Sequence, residues 1–93
     1  MNKYCKEFLE SVAQSKDYWL NLDNDIVEKS CKFVDETPLE YRMNGLIFSI
    51  MVLLDGNSSL NNFKTYNIKY GSTSINKDIR LHDNVFEYLK NRE

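Results

Sequence analysis

Residues 45–56 read GLIFSIMVLLDG, an apolar run with a glycine at each end and an aspartate before the last. As a helix, Leu46–Leu54 would be about 13 Å long, against roughly 30 Å of hydrocarbon in a bilayer. Its neighbours Arg42, Asn44, Asp55 and Asn57 cannot lengthen it, so no membrane span is expected here. Leu46, Ile47, Phe48, Ile50, Met51, Val52, Leu53 and Leu54 would cover every side of such a helix. A helix that is apolar all round is buried all round, so Leu46, Phe48, Ile50 and Leu53 are all expected to be buried.

The residues just before this run carry its start signal. In ETPLEYR, Thr37 can cap the helix, Pro38 takes its first position, and Glu40 completes a reciprocal capping box with Thr37. Gly56 marks the other end, placed to take a left-handed conformation after the last turn.

Toward the N-terminus, residues 2–14 set Tyr4, Cys5, Phe8, Leu9, Val12 and Ala13 at helical spacing, with Lys3, Lys6, Glu7 and Glu10 opposite. A second helical pattern runs from Tyr18 to Val34 through Trp19, Leu22, Ile26, Val27, Cys31 and Phe33. Asp17 is its expected N-cap, and the polar stretch Asn21–Asp25 allows a break near Asn24.

Beyond Gly56 the periodicity changes. FKTYNIKY (63–70) alternates, with Tyr66, Ile68 and Tyr70 on one face and Lys64, Asn67 and Lys69 interleaved, and is expected as a strand. GSTS (71–74) is the expected turn, and INKDIR (75–80) the return strand of a hairpin. A final helix from about His82 to Asn91 carries Val85, Phe86 and Leu89 on one side. The expected fold is α+β and helix-dominated: three N-terminal helices with a buried central third helix, a β-hairpin and a short C-terminal helix. With 93 residues it is expected as one domain, 1–93.

The start, MNKYCKEFLESVAQ, lacks the apolar core of a secretory signal. Cys5 and Cys31 have no zinc-type spacing and are expected as reduced, buried thiols in a cytoplasmic protein.

Motifs for catalysis are scarce. There is no GxGxxG or GxxxxGK phosphate loop. His82 is the lone histidine, so it cannot build a His-rich metal site. Beside Asp83, itself a plausible N-cap, it is expected as a capping or surface residue, although Asp55 could in principle orient it as a general base. No catalysis, cofactor or metal is expected.

Charge is unevenly spread. From Asp17 to Glu40, seven acids stand against Lys29 and Lys32, a local net charge of −5. Asp17, Asp23, Asp25, Glu28, Asp35 and Glu36 are the candidate partner-binding residues, suited to steer a basic protein. The polar turn holding Asp23 and Asp25 makes these two the first choice. A second candidate surface is Lys64, Tyr66, Lys69 and Tyr70, which could stack single-stranded nucleic acid. A pI near 5.4 and the lack of a basic run argue against direct nucleic-acid binding.

ETPLEYRMNGLIFSIMVLLDG, followed by LHD and a short terminal helix, resembles a family of small bacterial proteins. In that family an arginine- and glutamate-bearing turn leads into a GL-FS-LV-LDG helix, then a short β segment and LHD. The similarity spans roughly residues 36–86. It implies an immunity protein of a contact-dependent growth inhibition or polymorphic toxin system. Such a protein neutralises a cognate toxin domain, commonly a nuclease with a basic cleft, by occluding its surface. No catalytic role comes with the resemblance for Arg42, Asp55 or His82. The alternative is a phage- or defence-associated protein that binds nucleotides or nucleic acid.

Overall fold

A computed structural model describes residues 1–92. Its order is α1 (Lys3–Asn21), α2 (Asn24–Phe33), α3 (Pro38–Leu54), a 3₁₀ turn (Ser59–Asn61), β1 (Lys69–Tyr70), β2 (Thr73–Ser74) and α4 (Leu81–Asn91). The chain is thus α+β and helix-dominated, with a two-stranded antiparallel hairpin. Its contacts cluster in two units, one over Met1–Ile47 and one from Phe48 onward, and α3 contributes residues to both. Among the described residues, no helix is long and apolar enough to cross a membrane.

In the first unit, α1 runs unbroken past residue 14 and through Asp17, which is not an N-cap. The cap is Asp23, whose carboxylate accepts from the backbone N–H of Asp25 (2.8 Å) and Ile26 (3.4 Å). The break therefore falls at Leu22–Asp23, where a carboxylate can satisfy the first free donors of α2. Val27 and Cys31, one turn apart, are the buried hydrophobic residues here. Ser11 and Ser15 are buried too, and each hydroxyl donates to the carbonyl one turn earlier, Glu7 (3.0 Å) and Ser11 (2.9 Å). Both cysteines are free thiols, as expected, but Cys5 is exposed on the first turn of α1.

α2 ends in a Schellman turn. Asp35 has φ +57, its N–H donates to Lys32 O (3.3 Å), and Glu36 N–H donates to Cys31 O (2.8 Å). The capping box of α3 forms as its residues dictate: Glu40 N–H donates to Thr37 Oγ1 and Thr37 N–H to Glu40 Oε1, both at 3.2 Å. The Thr37 side chain, and after it the Thr37 backbone N–H, hold the Glu40 carboxyl below the usual carboxylate range by hydrogen bonding to it.

The same Schellman geometry closes α3. Gly56 has φ +79, and its N–H donates to Leu53 O (3.2 Å) while Asn57 N–H donates to Val52 O (3.0 Å). The helix is less enclosed than expected. Leu53 is fully buried, whereas Leu46, Phe48 and Ile50 keep part of their surface open to solvent. A chain this short has too few other apolar groups to cover a helix on every side.

In the second unit, Phe48 stacks on Phe86 of α4 (centroids 5.0 Å, planes 9° apart). The hairpin is much shorter than the alternation suggests. Residues 63–68 and 75–80 are not strand, and the return strand Thr73–Ser74 lies inside the expected GSTS turn. Lys69 pairs with Ser74 and Tyr70 with Thr73, leaving the two-residue loop Gly71–Ser72 with Gly71 at φ +61. Past the strands a side chain continues the ladder. Asn76, 7% exposed, accepts from Ile68 N–H (2.9 Å) and donates to Tyr66 O (2.7 Å). Its amide satisfies the backbone groups a longer return strand would have paired.

Candidate functional site

Arg42 and Asp55 work as long-range helix caps. Arg42, on the second turn of α3, sends its guanidinium to the end of α1. Nη1 donates to Trp19 O (2.6 Å) and Leu20 O (3.2 Å), and Nη2 to Leu22 O and Asn24 Oδ1 (2.8 Å each). The guanidinium thus meets the carbonyl end of α1, where a cation also faces the negative end of the helix dipole. The approach is close because Gly45 lies against the Trp19 indole: a Cβ on Gly45 would sit 2.5 Å from the ring.

Asp55 caps with the opposite sign. It follows the last residue of α3, and its side chain is 4% exposed. Its carboxylate accepts from Leu81 N–H (2.9 Å) and His82 N–H (2.8 Å) at the start of α4. The His82 ring adds Nδ1 at 2.5 Å from Asp55 Oδ2, and its Nε2 is 3.2 Å from Asp83 Oδ1. Burial works against the charge on Asp55. The two backbone donors and the imidazole outweigh it and hold the carboxyl below its ordinary range.

His82 is therefore not a surface residue. Its side chain is 13% exposed and meets the Phe48 ring edge-on (5.8 Å). Asp83 is not the N-cap of α4 either; Arg80 holds that position without a side-chain cap bond, and Asp55 supplies the carboxylate. The pairing of His82 with Asp55 as a base and its orienter has the right partners, but both ring nitrogens already face carboxylates. Asp55 and His82 join α4 to the end of α3. Among the described residues, no three His, Cys, Asp or Glu side chains are placed to hold a metal ion.

The acidic candidates all lie in the first unit and divide by role. Asp23 caps α2, and Glu36 accepts a hydrogen bond from Asn44 Nδ2. Asp17 on α1, Asp25 and Glu28 on α2, and Asp35 in the turn after it are exposed. None of these four is in an ion pair; the ion pairs among the described residues involve Asp55, Arg80, His82 and Asp83.

Beside these acids is a residue the helical pattern misassigned. Phe33, expected on the covered face of its helix, is 93% exposed. The signal was present: Val27 and Cys31 form one stripe of α2, and Ile26 and Phe33 another.

The second candidate surface does not come together on one strand. Lys69 and Tyr70 form β1, with Tyr70 84% exposed, while Lys64 and Tyr66 precede it and Tyr66 is half-buried.

Comparison with protein-family models, curated proteins and solved structures finds no match to this chain.

Proposed function

We propose that this chain is a protein-binding module of the immunity-protein kind, acting in the cytoplasm. In this reading it neutralises a cognate toxin domain without catalysis, by covering a basic surface with the acids of α1 and α2. The observation that carries it is the concentration of exposed acids in one stretch of net charge −5, with Asp17, Asp25, Glu28 and Asp35 in no ion pair among the described residues. Acids left unneutralised on rigid helices speed encounter with a positive cleft. The resemblance over residues 36–86 supports the same class.

The test uses the product of the gene directly upstream. It is expected to be toxic when expressed alone and harmless when this chain is co-expressed. Association of the two should slow many-fold in D17K/E28K at low salt and recover toward wild type at high salt. That variant should change folding by no more than about 1 kcal/mol, since both positions are exposed and clear of the caps. A harmless upstream product, or an on-rate untouched by the substitutions, overturns the reading. If single-stranded DNA binds instead and Tyr70→Ala abolishes it, the nucleic-acid alternative takes its place.

A further inference from the structure

The acids of α2 are interleaved with exposed apolar side chains that folding does not account for. Besides Phe33, Val34 and Ile26 are each about half exposed. Ile26 and Phe33 are two turns apart on one stripe, and Phe33, Val34, Lys29, Ser30 and Tyr41 line an open recess. The backbone beneath is closed by its own hydrogen bonds: Val34 N–H donates to Ser30 O (3.2 Å), and the Asp35 and Glu36 bonds complete the turn. An aromatic on such a mount loses little freedom when covered, which suits it to anchor an interface.

Charge selects what covers it. Asp25 precedes Ile26 and Asp35 follows Val34, and although Lys29 lines the recess the stretch from Asp17 to Glu40 has a net charge of −5. A second copy would bring the same negative charge against it, and an anionic lipid surface would be repelled likewise. We propose that Phe33 and Val34 form the apolar anchor of a docking surface for a protein whose own apolar side chain is ringed by Lys and Arg. That side chain enters the recess, and its basic rim meets Asp25 and Asp35. The proposal rests on the acidic-surface reading and adds the place where the complex holds.

The test titrates the full chain, 15N-labelled, with a synthetic helical peptide carrying Leu at i, i+3, i+4 and i+7 and Lys or Arg elsewhere. The control peptide has Glu in place of the bases. The basic peptide should shift the amides of Ser30, Phe33, Val34 and Tyr41, and the acidic control should not. Phe33→Ala should weaken binding about tenfold or more, with an unchanged melting temperature because the ring is exposed. D17K/E28K should also weaken it, in a salt-dependent way. Loss of affinity in D17K/E28K with none in Phe33→Ala sinks the anchor and leaves the acidic reading standing. No effect of either substitution sinks both. Equal binding of the Glu peptide, or a free chain that sediments as a dimer dissolved by Phe33→Ala, overturns the proposal.

Discussion

Arg42 and Asp55 each hold a helix end that is distant in sequence. Arg42→Ala would remove the bonds from α3 to the carbonyl end of α1, an expected loss of about 2–3 kcal/mol readable as a fall in melting temperature. Arg42→Lys keeps the charge but replaces the planar fork with one ammonium, so it should recover only part of that loss. For Asp55 the consequence is a pH dependence. Its carboxyl is lowered in the fold, so its contribution is whole above the ordinary aspartate value of about 3.9. The contribution is lost as pH falls through the lowered value. Acid melts should therefore show a steeper loss of stability below about pH 4 in wild type than in Asp55→Asn. Equal slopes would remove Asp55 from that role.

Among the elements, termini closed by neighbours in sequence were legible and those closed by distant residues were not. Thr37, Pro38, Glu40 and Gly56 sit within one turn of the bonds they make, and α3 begins and ends as they indicate. Asp17 and Asp23 are equivalent as local signals, and only the path of the chain at Leu22 separates them. The hairpin failed for another reason. Alternation reports which side chains face inward, but the Asn76 amide took over the pairing that would have made residues 75–80 a strand. Of the candidate site, the acidic surface was visible in composition, whereas the Asp55–His82 pair, 27 residues apart, was named only as a base and its orienter and not as a helix cap. Gly56 gives a check at this scale. A Cβ there would meet Thr65 Oγ1 at 2.5 Å and Thr65 N at 2.7 Å, in a left-handed backbone. Gly56→Ala should cost about 2 kcal/mol or more in urea unfolding, since both the strain and the backbone contact oppose it.

For the whole molecule, the balance of covered and uncovered apolar surface is the governing quantity. Val27, Cys31 and Leu53 are the fully buried hydrophobic residues among those described, while many larger ones remain open to solvent. The free chain is accordingly expected at the bottom of the usual range, about 5 kcal/mol by urea unfolding. A bound partner at a hundred times its Kd should add about 2.7 kcal/mol through mass action alone. A free chain that resists unfolding well beyond that range would show that the exposed groups matter little to its stability.

Asp35 sits where glycine would be the less strained choice, at φ +57 in the turn that ends α2. An L-residue in that conformation is disfavoured by about 1 kcal/mol relative to glycine. If the proposed function holds, the position sets tolerance of heat against capture of a partner. Asp35→Gly should melt higher than wild type yet bind a basic surface more slowly, a gain in durability that costs the chain some of its reach.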